Sequence, residues 1–361
     1  MISIAGRLAK VFRGAKVGAI LVVNTKSQDS NFVYLTGFTE GLFEGAALIA
    51  TRRKLILLTN PLEYQVARKQ RPKEMLVVNV KSRKQIMSYF NRYAKGRSVG
   101  VNGSFIPYSR YRYLKKLIRP KRFVDVSENF ERARAIKDDE EIRRISLANR
   151  IIKKVLSKVE REFRTGMTER GLAARVDRLM QEYGADGPSF PTIVCFGANA
   201  SIPHHTPGPT RLTPNNFVLI DCGCTYGSYC SDVTRTFIFK PQKGSPKYKT
   251  MMEMLQTVRE AQRIAMGSIR PGIPGKKAHL AAEKIINEAH GGKFKGKFIH
   301  SLGHPVGIEV HDVGAGLYPS ETEKLQEGMV VSNEPGIYIE GFGGVRIEDD
   351  VLVTKGGPKT L

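Results

Sequence analysis

The chain has 361 residues, 41% hydrophobic and 25% charged, as in a globular protein of two or three domains with a large core. Its longest apolar run, Val17 to Val23, is far too short for a membrane-spanning helix, and its start lacks the basic, apolar and small-residue regions of a secretory signal. A cytoplasmic protein with no membrane partner is expected.

Residues 1–125 read as an N-terminal mixed α/β domain. Val17 to Asn24 is a buried strand, and Asn31–Phe38 (NFVYLTGF) an extended segment running into a turn. Ala46–Asn60 reads as a two-stranded hairpin turning at Arg52 and Arg53. A helix from Pro61 to Lys69, a strand from Met75 to Val80 and a helix from Arg83 to Tyr93 follow. The net charge of +24 concentrates here: residues 1–130 carry 25 Lys and Arg against 7 Asp and Glu. Such a field suits nucleic acid or another acidic partner, or a plain solvated surface. No helix-turn-helix, zinc-finger or aromatic RNA-binding signature accompanies it.

A linker is expected at 126–137, followed by a second domain over 138–361. The latter opens on a long helix capped by Asp138 or Asp139, with Ile145, Ile152, Val155 and Val159 on its core face. A weak internal repeat follows. Thr165-Gly-Met-Thr leads a helix to about Tyr183, and Pro271-Gly-Ile-Pro leads one to about Ala289. An offset of about 106 residues carries Gly166 onto Gly272 and His204 to within one residue of His311. Copies of this length indicate duplication rather than a solenoid, with a site between two half-domains.

Chemistry-bearing residues gather in this second domain. The run Phe217–Ile220 delivers Asp221 at a strand end, and Asp232 follows eleven residues later across a predicted hairpin turn. Two acids so placed either face solvent or ionise together around a bound cation. The cysteines nearby (Cys222, Cys224, Cys230, with Cys195 upstream) have C-x-C spacing and lack the C-x-x-C pair of common zinc sites; reduced, buried thiols are expected. Five of the seven histidines fall in two clusters, His204–His205 and His300, His304, His311. Glu334 precedes Pro335-Gly336, and Glu348 lies on an expected strand with Arg346 on the same face. Two Asp, one His and two Glu on strand-like segments make a donor set for two divalent cations.

These motifs resemble the pita-bread metallopeptidases that include Xaa-Pro aminopeptidase, Xaa-Pro dipeptidase (prolidase) and methionine aminopeptidase. The resemblance extends to NFVYLTGF in the N-terminal domain and so covers nearly the whole chain. It implies an α/β chain with a pseudo-symmetric pita-bread catalytic domain, and Asp221, Asp232, His304, Glu334 and Glu348 as metal ligands. Asp232 and Glu348 would bridge two ions, Mn or Co ahead of Zn or Fe, around a hydroxide nucleophile. Glu334 would shuttle protons, His311 and His204 would stabilise charge on the substrate carbonyl, and Arg346 would orient a ligand carboxylate. The implied substrate is a proline-containing peptide and the implied assembly a homodimer. Prolidase members bind the product carboxylate with an arginine shortly after the second histidine, and none lies between His311 and Glu334. An Xaa-Pro aminopeptidase is therefore expected ahead of an Xaa-Pro dipeptidase. A non-catalytic pita-bread protein binding peptide or nucleic acid is the remote third reading.

Overall fold

The computed structural model describes residues 4–361, which form two compact units, residues 4–134 and 135–361. The first contains α1 (Ile4–Val11), β1 (Ala19–Val23), α2 (Ser30–Thr36), β2 (Ala47–Ala50), β3 (Leu55–Thr59), α3 (Pro61–Gln70) and β4 (Met75–Asn79). It continues through α4 (Arg83–Tyr93), β5 (Ser98–Val101), α5 (Tyr108–Ile118), β6 (Arg122–Asp125) and α6 (Ser127–Ala135). Six strands make one mixed sheet in the order β4-β3-β2-β1-β5-β6. The expected hairpin is present, its ends closed by a hydrogen bond from Thr51 N to Lys54 O of 3.0 Å. Residues 127–135, within the expected linker, are helical.

The segment read as extended, NFVYLTGF, is the helix α2. Its aromatic and β-branched content suggests a strand, but the caps decide. Asp29 accepts the Asn31 amide, and Gly37, at φ 69°, ends the helix by donating to Val33 O at 2.7 Å. Phe32, Tyr34 and Leu35 are all fully buried, so no alternation betrays a solvent face.

The second unit begins with α7 (Asp139–Glu160), α8 (Glu169–Glu182), β7 (Gly187–Pro188), β8 (Ile193–Phe196), β9 (Asn216–Cys222), β10 (Cys224–Tyr226), β11 (Tyr229–Cys230) and β12 (Val233–Phe239). There follow α9 (Pro246–Met266), α10 (Lys276–Gly292), β13 (Val330–Asn333), β14 (Gly336–Ile339), β15 (Gly343–Arg346), β16 (Asp349–Thr354) and β17 (Gly357–Thr360). Helix α7 starts at a full capping box: Asp138 accepts the Glu141 amide while the Glu141 carboxylate accepts the Asp138 amide.

The duplication is visible in the backbone. Gly166 (φ 87°) donates to Leu212 O at 2.8 Å, and Leu212 donates back to Met167 O at 2.8 Å. Gly272 (φ 83°) donates to Leu325 O at 2.9 Å, and Leu325 donates back to Ile273 O at 3.0 Å. Each half also has its own apolar core. One packs α7 and α8 through Ile152, Val155, Leu172 and Val176 onto Val194 and Ile220. The other packs α9 and α10 through Met254, Val258, Ala282 and Ile286 onto Leu317 and Val351. Helices of each half thus cover one face of its strands and leave the other free to carry the site.

A candidate dimetal centre

Strands β9 and β12 pair antiparallel, with Asp221 opposite Thr234 and Cys222 opposite Val233. The chain between them forms the small β10–β11 hairpin, turning at Gly227 and Ser228, both with positive φ. Asp221 and Asp232 therefore stand side by side at one end of this sheet, both buried. Gly223 lets the strands close up: a Cβ there would sit 1.9 Å from Ser231 O.

The second half supplies the remaining groups. His304 lies between two bridges of the Gly303–Pro305 segment to its neighbours, and its amide donates to Ser332 Oγ. Glu334 follows β13 directly and accepts from the same Ser332 hydroxyl at 3.2 Å. Glu348, expected inside a strand, occupies the two-residue break between β15 and β16, where the β14–β15 hairpin hands over to the β13–β16 sheet. Its amide donates to Thr234 O, and its Oε2 accepts from Thr234 Oγ1 at 2.6 Å.

Asp232, His304 and Glu348 bring ligand atoms within 4.8 Å of one another, all three buried. Glu334 joins them, its Oε1 3.5 Å from His304 Nε2, the same distance as Asp232 Oδ2. Asp221 stands outside that trio. Its Oδ2 accepts from Arg346 Nη2 at 2.6 Å, while its Oδ1 is buried with no hydrogen-bond partner. The imidazoles of His304 and His311 lie 4.1 Å apart between ring centres. His311 and His204 are both exposed at the surface, and partial burial of the His311 ring, then the nearby His204, disfavour protonation of His311.

Charge makes the case for a cation. Burial first, then Glu348 and Asp221, push the Asp232 carboxyl well above the ordinary range. Burial first, then Glu334 and Asp221, do the same to Glu348. Burial, opposed by Arg346 and reinforced by Asp221, raises Glu334 to about 8. Burial, then His311, lowers His304 to about 4, so its ring is neutral at pH 7. With a proton on Nδ1 held by Pro305 O at 3.1 Å, the Nε2 lone pair faces the carboxylates. Lone pair and carboxylates repel unless a proton or a metal cation stands between them. The bare Oδ1 of Asp221 points to the same conclusion, and oxygen-rich donors with one imidazole suit hard divalent ions. The residues fit the metal.

An outer layer fixes these ligands. Arg346 donates to Asp221, to Thr234 Oγ1 at 3.1 Å and to Tyr338 Oη at 2.7 Å. Tyr338 Oη is also 2.8 Å from His300 Nε2, and His300 Nδ1 is 2.8 Å from Ser301 O. Behind Asp232, its amide donates to Asp350 Oδ2 at 3.0 Å, which also accepts from Asn149 of α7 at 2.7 Å. Thr234, Ser332, Tyr338, Asp350 and Asn149 were not anticipated, and His300 was noted only for its clustering. The mid-helix Asn149, fully buried on the core face of α7, is a signal that the sequence did offer. The four cysteines are buried and unpaired, with thiols pushed up by burial (Cys224 to about 12), in keeping with packing rather than coordination.

The sequence profile described as metallopeptidase family M24 matches residues 143–355, and that of the creatinase/prolidase N-terminal domain matches residues 6–136. The chain belongs to metallopeptidase family M24. It is an enzyme of mixed α/β architecture, with a creatinase-like N-terminal domain and a pita-bread domain of a family that works with divalent metal. An Xaa-Pro dipeptidase from Pyrococcus horikoshii is 36% identical over 345 residues, covering 96% of this chain and 92% of that one. One from Pyrococcus furiosus is 35% identical over 331 residues, covering 92% and 90%. Among solved structures, the X-Pro aminopeptidase of Thermotoga maritima superposes with a TM-score of 0.87 at 27% identity, covering 97% of each chain.

Proposed function

We propose that this M24 metallopeptidase hydrolyses the Xaa-Pro bond of dipeptides. What carries the reading is end-to-end similarity to two dipeptidases, joined to a buried carboxylate–imidazole cluster that retains every ligand type expected. This reverses the order expected from the sequence, where the lack of arginine between His311 and Glu334 put aminopeptidase first. The missing arginine is one contact, and similarity over more than nine-tenths of the chain outweighs it. That missing contact keeps aminopeptidase as the second reading, together with the likeness to the Thermotoga enzyme.

In this reading Asp221, Asp232, His304, Glu334 and Glu348 would hold two divalent cations, Mn or Co. Bound there, the metals supply a Lewis acid and lower the pKa of water toward neutrality. Glu334, whose carboxylate lies 3.5 Å from His304, would take a proton from the attacking water and give one to the departing proline nitrogen. His311 and His204 donate to the substrate carbonyl as charge develops. Arg346 holds Asp221 in place. A homodimer is part of the reading. The test compares an Xaa-Pro dipeptide with the matching Xaa-Pro tripeptide, with Mn or Co supplied. Cleavage of the dipeptide alone is expected. Cleavage of the tripeptide reinstates the aminopeptidase, and cleavage of neither leaves a binding protein.

A further inference from the structure

The N-terminal unit contains a cavity that the peptidase site does not use. It holds about 290 Å³ and lies at the carboxyl ends of the parallel strands, where open α/β sheets present ligand crevices. Val23 ends β1, Thr59 ends β3 and Val80 follows β4; α4 and α5 close the space with Phe90, Leu114 and Leu117. Its volume is near the lower end for small-molecule pockets, and its walls have their apolar character.

Three observations define what would fill it. First, the inner wall is apolar, with Val23, Ile86, Phe90, Leu114 and Leu117 around the space, so an apolar group fits there. Second, the cavity adjoins an outer hollow of about 490 Å³, the two sharing Glu44, Gly45, Arg110 and Tyr113. Lys26 lines the outer hollow, so the mouth carries two cations and one anion. Third, Glu44 and Arg110 line the same opening, yet among the described residues no ion pair joins them or either to another residue. Arg110 has its guanidinium 5.7 Å from the Tyr113 ring centre, a contact that leaves its N–H groups able to donate, and its Nε is buried without an acceptor.

We propose that this cavity binds a free α-amino acid with an apolar side chain. The side chain enters among Phe90, Leu114 and Leu117, the carboxylate meets Arg110 and Lys26, and the ammonium meets Glu44. A fatty acid would satisfy the apolar walls and the two cations but would set its carboxylate against Glu44. A zwitterion satisfies both signs at once. The site would let the chain sense free amino acids, the class of compound that any exopeptidase releases.

The test is calorimetric titration of the full-length protein with L-phenylalanine, N-acetyl-L-phenylalanine and decanoate. Amino acids also enter the catalytic site as products, so the same titration is run on Asp232→Asn. Binding of L-phenylalanine is expected to survive Asp232→Asn unchanged and to weaken about tenfold in Arg110→Ala, as for loss of a charge-assisted contact. Leu114→Trp, which fills the cavity, should abolish it. Glu44→Gln should weaken L-phenylalanine but not the N-acetyl compound. No binding by the wild-type protein at millimolar concentration overturns the proposal. So does binding that disappears in Asp232→Asn and ignores Arg110→Ala. Decanoate bound more tightly than L-phenylalanine would overturn the assignment of a zwitterion. Circular dichroism of each variant confirms that it folds, and Glu44→Gln, at an exposed position, keeps the test valid should Leu114→Trp fail to.

Discussion

Asp232 is the residue on which the proposed dimetal centre turns, because it belongs to the first half and contacts the second. Its side chain faces His304 and its amide is held by Asp350. Asp232→Asn keeps the shape and removes the charge that binds metal; it should abolish Xaa-Pro hydrolysis without altering the far-ultraviolet dichroism. Near-normal turnover with metal supplied would contradict its role as a ligand. Tyr338→Phe tests the outer layer. It removes the hydroxyl between Arg346 and His300, leaving a buried guanidinium with an unmet donor, at a cost of about 1–3 kcal/mol. A fall of roughly ten- to a hundredfold in kcat/KM is expected as Asp221 loses orientation, with metal still bound. An unchanged kcat/KM would mean that Arg346 needs no support. The five proposed ligands stand out in the sequence because each sits in a short motif of glycines, prolines and β-branched residues. Tyr338, Thr234 and Asp350 were not, since a hydroxyl or carboxylate becomes structural only through partners brought in by long-range pairing. Arg346 reaches Asp221 across 125 positions and Asn149 reaches Asp350 across 201.

Elements place these residues through close backbone contacts. At Gly303 a Cβ would lie 2.0 Å from Ser332 O, a backbone atom of the neighbouring β13 that cannot step aside. Gly303→Ala should therefore push the His304 segment from β13, destabilise the protein and cost metal affinity, read by metal analysis after dialysis. Gly296→Ala, where nothing lies within 4 Å, gives the comparison: backbone strain alone, with metal content unchanged. At the α7–α8 corner, Glu162 pairs with Arg175 through two hydrogen bonds of 2.8 and 2.9 Å and with Lys158 at 3.3 Å. The Arg175 hydrogen bond, with Lys158 adding, outweighs burial and lowers the Glu162 carboxyl to about 2 from 4.5. Its folded pKa lies below the unfolded one, so its stabilisation is full above about 4.5 and fades as pH falls toward about 2. Urea melts of Glu162→Gln should match the wild type near pH 2 and fall below it at pH 7. A constant difference across that range would rule out the ion pair as the cause. The helices and caps here were readable from sequence. Segment α2 was not, because full burial erases the alternation that separates strand from helix.

For the molecule as a whole, the division into two units makes metal binding a selective stabiliser. All five proposed ligands belong to residues 135–361. Metal that binds the folded unit alone stabilises it by about 2.7 kcal/mol at a hundredfold excess over Kd. In a unit of this size that raises Tm by roughly 5–10 °C. The first unit has its own sheet and apolar core, so it has the means to unfold as a separate transition. Differential scanning calorimetry with chelator, then with Mn or Co restored, should therefore move one transition and leave the other in place. The moving transition should carry the larger heat, since enthalpy scales with residue number. Activity should disappear and return in step with it. A single peak that shifts whole would mean that the units unfold together. Two peaks that ignore chelator while activity persists would sink the dimetal centre. L-phenylalanine, if held where we propose, should move the other transition, so one instrument separates the peptidase site from the second cavity by the peak each ligand displaces.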